Sequence, residues 1–549
     1  MKIKSLILLS IFGLISVFAL FNPGLPITHD GQDHVARIAN FYQNLLEGNI
    51  IPRWAENLNW GYGHPILEFL YPLPSYIASL FHFLGFSLVD SVKIVFGLGM
   101  VLSLFFMYLW LSSFLGEIPA VLGAISYTYA PYRFVDLYVR GDIGENLAFA
   151  FVPLTLCFLY KLHKDQKYKY SIFGAISLAL LILSHNAISL MLTPFILAYC
   201  LYLIWLSKFN KYLILNTLFL ILIGFSLSAF FWIPGLFEGK YTLRNIVTAG
   251  SYIGRFVSFK DLLYGPWSYG GSGQFTVQIG IASWISLFTS PFVFYYFHKK
   301  DNKNYILVFS LIIFTFFATF LMLDQSNLIW SRFILLQNFQ FPWRFLAVTV
   351  FTTSVLAAYL ISAVPNKFKK IIFVLLLLII LFQSKDYIKA NGYLQNPDKF
   401  FTGVYNSTTD TGESAPVWSV RFMEKGPKAY LEVIDGNAQI KELKRTTTYH
   451  KYSINVINKT LFEENTLYFP GWEIKANGIP QNIEFQNKDY RGVMTFHLNK
   501  GSYIVEAIYK ETKLRLFSDI ISFVSIGYII GGIFSIWVLK TKKRSIILR

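Results

Sequence analysis

Ile66-Leu67-Glu68-Phe69-Leu70-Tyr71-Pro72-Leu73-Pro74-Ser75-Tyr76-Ile77-Ala78-Ser79-Leu80-Phe81-His82-Phe83-Leu84-Gly85-Phe86 is nearly as apolar as a membrane span. Whether it crosses the membrane decides the orientation of everything after it. Pro65, Pro72 and Pro74 crowd its first half. Proline lacks the amide that a continuous helix donates, and its ring clashes with the preceding turn. The stretch is therefore expected to lie at the outer surface or to enter only partway. The basic loops give the same answer. With Lys2 and Lys4 cytoplasmic and 66–86 not crossing, the basic loops 161–169, 208–211, 299–303, 367–370 and 540–544 all face the cytoplasm. A crossing at 66–86 would turn each of them outward, against the bias of Lys and Arg towards cytoplasmic loops.

Outward from that stretch, apolar runs of about twenty residues mark about twelve spans. They lie near 5–22, 91–113, 118–135, 146–162, 170–184, 188–206, 212–232, 276–297, 304–323, 344–363, 369–384 and 516–538. Only 14% of the 549 residues are charged, against roughly a quarter in a soluble globule. The fold class is a polytopic α-helical membrane protein. A net charge of +17 does not indicate nucleic acid, because the cations sit in short loops between apolar runs. Cys157 and Cys200 fall inside apolar runs, which leaves no disulfide framework. Residues 1–22 are expected to remain as a first span, since Phe18-Ala19-Leu20-Phe21 makes a poor cleavage site.

Residues 386–515 change character. Val493, Thr495 and His497 alternate with Met494, Phe496 and Leu498. Asp435-Gly436 and Asn477-Gly478 read as hairpin turns and Asn499-Lys500-Gly501 as another turn. This predicts a β-sandwich domain of ~130 residues, placed outside because 369–384 leads out and 516–538 leads back. The division is then a transmembrane domain, 1–385, with a large first outer loop, 23–90; an extracytoplasmic β domain, 386–515; and a final helix with a basic tail, 516–549.

The same topology brings the polar, non-basic connections to one face: the first loop, 140–146, 184–186, 233–275 and 324–343. In the first loop, His29-Asp30-Gly31-Gln32-Asp33-His34 places Asp30 in a turn, where a carboxylate suits a general base or a divalent-cation ligand. Asp33 either caps the following helix, with Arg37 one turn later, or shares the site. His29, His34, His64 and His185 offer imidazoles, but their spacing fits no zinc pattern. In Arg140-Gly141-Asp142 with Glu145, the acids suit a helix start, while Arg140 suits a phosphate. Arg344 suits one equally, or anchors the interface beside Trp343. Arg37, Arg53, Asn186 and Trp267, the last in a Gly-rich aromatic loop, complete the candidate substrate-binding set. Nucleophile-elbow, Walker and His-Glu-x-x-His motifs are absent from the sequence, so a substrate that is itself a membrane lipid fits better.

The run from His29 to His34, then Arg37, Gly48, Pro52-Arg53-Trp54, Gly61-Tyr62-Gly63 and Tyr71-Pro72-Leu73-Pro74, resembles a bacterial multi-pass family labelled 6-pyruvoyl-tetrahydropterin synthase-related. Arg140-Gly141-Asp142 and His185-Asn186 extend the resemblance. Tyr468-Phe469-Pro470-Gly471-Trp472 and Asn499-Lys500-Gly501-Ser502-Tyr503, followed by a final span, resemble the C-terminal part of YfhO-type membrane proteins. Both groups are similar in plan to GT-C glycosyltransferases. That resemblance implies an acidic catalytic residue in the first outer loop and a polyprenyl-phosphate sugar donor. It places Asp30 in the catalytic-base region, with Asp33 competing, and Asp142 in the second acidic motif. His-Asp-Gly-Gln-Asp-His stands where those enzymes carry Asp-Glu or Asp-x-Asp.

The expected function is sugar transfer from a lipid-linked donor to an envelope glycan, lipid or protein at the outer face of the cytoplasmic membrane. Membrane lipids are partners and nucleic acid is not. No cofactor is required by the sequence, and a divalent cation is left open. The alternative is a non-catalytic envelope assembly factor, or a lipid or polymer transporter. Transporters carry mid-membrane charges and internal repeats, whereas these spans hold few acids and no repeat is seen.

Overall fold

The computed structural model describes residues 3–270 and 275–547, with side chains described up to residue 535. Lys2, residues 271–273 of the aromatic loop and the side chains of the basic tail lie outside the described residues. Among the described residues, six helices are long and apolar enough to cross a membrane: Leu88–Ser112, Ile143–Asp165, Asn186–Leu206, Asn304–Met322, Pro342–Ala363 and Lys513–Ser535. The pair Lys211–Leu227 and Ala229–Tyr241, bent by 69°, makes a seventh if taken as one.

The twelve expected spans are all largely helical, but the five others do not reach the same length and apolarity. Ile281–Lys299 has 19 residues with Pro291 inside and His298 and Lys299 in its last turn. Ile3–Ser16 and Lys169–Ser184 are short apolar helices. Glu117–Thr128 stops after 12 residues because Pro131 follows; the chain restarts as Pro131–Val135. Asn366–Ser384 opens on Lys367, Lys369 and Lys370. The deciding stretch 66–86 breaks into Ile66–Phe69 and Leu73–Phe83. The 11 residues of the second helix reach roughly 16 Å, about half a hydrocarbon core.

Helix order separates two kinds of loop. Ile143–Asp165 begins at Asp142 and ends beside the 161–169 loop, and Lys169–Ser184 returns to His185. Asn186–Leu206 then runs away again to Lys208. Leu346–Ala363 starts at Arg344 and ends near Lys367. The acidic and imidazole-bearing turns thus sit at one end of these helices and the basic loops at the other.

The C-terminal β region has a five-stranded sheet, with strands 438–445, 449–456, 501–509, 472–476 and 479–481 in that order, and a three-stranded sheet of 431–435, 460–467 and 493–498. Tyr452, Ile454, Trp472 and Val505 from one sheet share a buried core with Phe462, Met494 and Phe496 from the other. This is a sandwich. Asn477-Gly478 is a true hairpin turn, with φ of +50° and +80°. Asp435-Gly436 and Asn499-Lys500-Gly501 are not hairpins: the strands they join lie in different sheets. A local turn signal fixes the bend, while the partner of each strand is chosen by the core.

Residues 386–430 hold little strand and run along the first outer loop. Tyr393–Leu394 pairs with Leu25–Pro26, and Asn59 donates its backbone N–H to Ser407 O at 2.9 Å. The final helix is fastened by buried ion pairs, Arg515 to Glu68 at 2.9 Å and Glu238 at 2.6 Å and Arg53 to Asp519 at 2.7 Å, and just before it the exposed Glu511 pairs with Arg53 at 3.0 Å.

Candidate active site

All five polar connections line one cavity of about 960 Å³. Asp30, Asp33, His29, His34, Arg37, Arg140, Asp142, His185, Asn186 and Arg344 border it. Its opposite part is apolar, built by Leu178, Leu181, Ile182, Phe225, Trp232 and Leu236. Thr409, Asp410 and Glu413 from the 386–430 segment close one side.

Asp30 is the N-cap residue of the helix Gly31–Leu46, yet its side chain makes no cap bond. Its backbone is held by N–H donation to Arg140 O at 2.9 Å and by acceptance from His34 N–H at 3.0 Å. No hydrogen bond or ion pair among the described residues engages its carboxylate, which is only partly buried at the cavity wall. Burial, with Asp142 nearby, raises its pKa against the pull of Arg140, Arg37 and His29. Asp33 is not the cap: it is the third helical residue, and accepts from Tyr405 Oη at 3.3 Å. Burial raises its pKa as well, Arg37 opposing.

Behind this wall lies a buried charge cluster. Arg140 pairs with Asp136 at 2.8 Å, Asp142 at 2.9 Å and Glu145 at 2.7 Å, and its guanidinium stands 4.8 Å from the Trp343 ring. Asp142 caps the helix Ile143–Asp165 through Glu145 N–H at 2.9 Å, so the helix-start reading of these acids holds. Asp142 also accepts from Tyr71 Oη at 3.0 Å. His185 Nδ1 accepts from Ile188 N–H at 3.2 Å. That bond leaves the proton on Nε2, which faces Asp142 at 3.6 Å. Burial pushes the Asp142 pKa up, but His185 and Arg140 together hold it well below the usual range. The chain packs tightly here because a Cβ on Gly144 would collide with the Tyr71 ring and the Ser184 carbonyl. Burial drives His34 well below its ordinary pKa, with Arg37 adding. Its two nitrogens face only donors, Arg37 Nη1 at 3.3 Å and Ile143 N–H at 3.5 Å.

Four of the sequence candidates lie off the cavity wall. Arg53 is spent on Glu511 and Asp519. His64 reaches the cavity only through Asp410, at 3.6 Å. Trp267 stacks on Tyr387 with ring centres 4.5 Å apart. Glu145 is fully buried behind Arg140. Asp136, Tyr132, Tyr71, Arg244, Arg255 and Asp410 were not anticipated. For Asp136 a signal exists, since it lies four residues before Arg140 on a helical turn.

Arg37, Arg244, Arg255 and Arg344 line the cavity without an ion-pair partner among the described residues. Arg255 and Arg344 both stand over the Phe341 ring, at 4.6 and 5.1 Å, and Arg344 Nε is buried and unbonded. One carboxylate free to take a proton thus faces several guanidiniums without a counter-ion, although Arg37 already donates to Thr409 O at 2.5 Å and Arg344 to Phe339 O at 3.2 Å. Asp142, Glu145 and His185 also converge, with one ligand atom from each within 4.8 Å of the others, close enough to hold a metal ion. Arg140 already bonds both carboxylates, so an added cation would have to displace it.

Residues 67–390 match the family described as the 6-pyruvoyl-tetrahydropterin synthase related domain, a membrane protein. The chain belongs to this family. An uncharacterized protein of Lactococcus lactis subsp. cremoris (strain MG1363) is 26% identical over 315 residues, 54% of this chain and 50% of that one. The alignment thus spans about half the length of that curated relative. Among solved structures, mycobacterial arabinofuranosyltransferase AftD overlaps 73% of this chain and 28% of its own, with 14% identity and a TM-score of 0.47. The Archaeoglobus fulgidus oligosaccharyltransferase overlaps 76% and 61%, with 16% identity and a TM-score of 0.46. Overlaps of that depth decide neither fold nor chemistry.

Proposed function

We propose that this protein is a GT-C-like glycosyltransferase of the cytoplasmic membrane. It moves a sugar from a polyprenyl-phosphate carrier to an envelope glycan, lipid or protein at the outer face. The observation that carries the reading is Asp30: an unpartnered, pKa-raised carboxylate on a cavity that is cationic at one part and apolar at the other. An amphiphile with an anionic head fits such a cavity, its chain against Leu178, Leu181 and Ile182 and its phosphate against Arg344, Arg255 and Arg37.

Asp30 takes the proton of the acceptor hydroxyl as that oxygen attacks the anomeric carbon. The bond to the carrier phosphate breaks, and the phosphate leaves with its electron pair, stabilised by guanidiniums already in place. The displacement inverts the anomeric configuration. Arg140, held by three carboxylates, organises the wall, and the phosphate falls to the unpaired arginines. No metal takes part, since Arg140 supplies the positive charge among Asp142, Glu145 and His185. The test is Asp30→Asn in a purified assay with lipid-linked sugars. Unchanged turnover removes Asp30 from the mechanism.

A further inference from the structure

Two outer segments fold together into one small unit beside the cavity. Residues 243–264 carry the helices Arg244–Thr248 and Phe259–Leu263, and residues 324–341 carry Asn327–Arg332 and Ile334–Gln337. Trp330 is fully buried between them. It stacks on Tyr252 with centres 5.5 Å apart and meets Phe256 edge-on at 6.2 Å. Its Nε1 donates to Leu321 O at 2.9 Å, and Val257 N–H donates to Met322 O at 3.0 Å. The unit is thereby fixed to the end of the helix Asn304–Met322.

Its inner side, with Arg255 and Phe341, is cavity wall. Its outer side is apolar: Ile334 is 74% exposed and Ile246 72%, and Ile253, Leu328 and Phe333 are exposed with them. The longest of its helices has 6 residues, about 9 Å, so none of them crosses a membrane. The supporting helix is long and apolar enough to cross a membrane, and Phe316, Phe317 and Phe320 are exposed in its last two turns, next in sequence to the unit's anchor at Leu321 and Met322. Outside the cavity lining, the two segments hold Lys260 and Arg332 against Asp261 and Asp324, a neutral balance. Leu335 of this unit, Leu190 and Leu236 are all strongly exposed and all border the cavity.

We propose that this unit is an interfacial platform whose apolar face sits in the lipid leaflet at the cavity end. The cavity opens sideways into that leaflet beside Leu335, Leu190 and Leu236, so an amphiphile reaches Asp30 from the bilayer without crossing water. The lipid contact stands on the platform alone; the amphiphile's identity as a lipid-linked sugar rests on the function proposed above.

The experiment places a nitroxide on a single cysteine at Ile334 or Ile246, in full-length protein carrying Cys157→Ala and Cys200→Ala. The protein is reconstituted in phosphatidylcholine–phosphatidylglycerol vesicles, and collision with oxygen and with a nickel chelate is read by electron paramagnetic resonance. Leu201→Cys, on the spanning helix Asn186–Leu206, supplies the lipid reference and Lys459→Cys, on the sandwich, the water reference. Oxygen-to-nickel ratios at Ile334 and Ile246 raised towards that of Leu201 support the platform. Ratios equal to that of Lys459 overturn it. Labels shielded from both reagents mean that protein covers this face, which overturns it too. If the labels read lipid while Asp30→Asn keeps its turnover, the platform stands and the transferase reading falls. In an active protein, Ile334→Asp with Ile246→Asp should lower turnover of a long-chain carrier and spare a short-chain, water-soluble one; equal loss on both carriers counts against sideways access.

Discussion

Two buried charge clusters of this protein use similar parts to opposite ends. At the cavity, Arg140 and His185 stand among Asp136, Asp142 and Glu145. Beneath the sandwich, Arg445 and His450 stand between Glu56 and Glu464: Arg445 Nε bonds Glu56 at 2.9 Å, and His450 Nδ1 lies 2.8 Å from Glu464. The first set borders the cavity, where Asp30 stays unpaired among the described residues; burial first, and Asp142 second, raise its pKa against the pull of Arg140. The second is balanced, two cations against two anions, and none of its four residues lines that cavity. Burial beside open space prepares a base. Balance in a closed space joins the first outer loop to the sandwich.

The largest effect that tests this contrast is on rate. Asp30→Asn is expected to lower turnover by roughly 10²- to 10⁴-fold, the usual worth of a positioned base, with the thermal unfolding midpoint unchanged or slightly raised, because no described residue bonds the carboxylate and its burial disfavours the charge. A fall in midpoint equal to that of a core mutant would mean that Asp30 is structural, and the contrast would collapse. Arg445→Met should do the reverse. It leaves Glu56 and Glu464 buried with only His450 to answer them, a loss of about 3–5 kcal/mol when one partner of a buried pair is removed. Denaturant unfolding in detergent micelles measures it.

The two clusters also differ in how far the sequence betrays them. Asp30, Arg140, Asp142 and His185 announce themselves because acids and imidazoles in turns between apolar runs have few structural reasons to be there. Asp136 was hidden by the apolar Val135, Leu137 and Val139 around it, which read as the end of a span. Residues 409–414 have no pattern at all; they reach the cavity because Thr409 adopts a φ of +65° and Asp410 accepts from the N–H groups of Gly412 and Ser414. Arg53 and His64 were read correctly as loop residues, but periodicity does not say which wall of a loop a side chain serves. The Arg445 set is assembled from positions 56, 445, 450 and 464, and no local rule connects them. The helices were legible from hydropathy; their lengths were not, because Pro131 ends one of them early and another begins at Asn366, taking in three lysines before its apolar run.

His450 gives a smaller, pH-dependent effect. Burial alone would lower its pKa, but Glu56 and Glu464 outweigh it and push the group up to about 9, against about 6.5 in the unfolded chain. A raised cationic pKa stabilises fully below the unfolded value and is lost as pH rises through the folded one. The unfolding free energy should therefore decline between about pH 6.5 and pH 9, by at most about 3 kcal/mol at 1.36 kcal/mol per unit. His450→Gln should flatten that slope while leaving any pH dependence of turnover in place. If the slope survives in the variant, another group carries it and the balanced reading of this cluster is wrong.

The smallest expected effect is none, and it bears on the acid-rich cluster. Asp142, Glu145 and His185 would suit a divalent cation if nothing else met their charge. Arg140 meets it, at 2.9 Å from one carboxylate and 2.7 Å from the other. A guanidinium bonded to both leaves an ion no vacant ligand oxygens without first being displaced. Treatment of the purified protein with a chelator should therefore leave the initial rate unchanged, and added manganese or zinc should not raise it. Arg140→Ala reverses the situation: Asp136 and Glu145 lose their ion pair and Asp142 keeps only His185, so manganese is expected to bind there and to raise the unfolding midpoint of the variant alone. Loss of wild-type turnover on chelation, restored by one metal, would show that the excess acid is a ligand set and that Arg140 is its competitor.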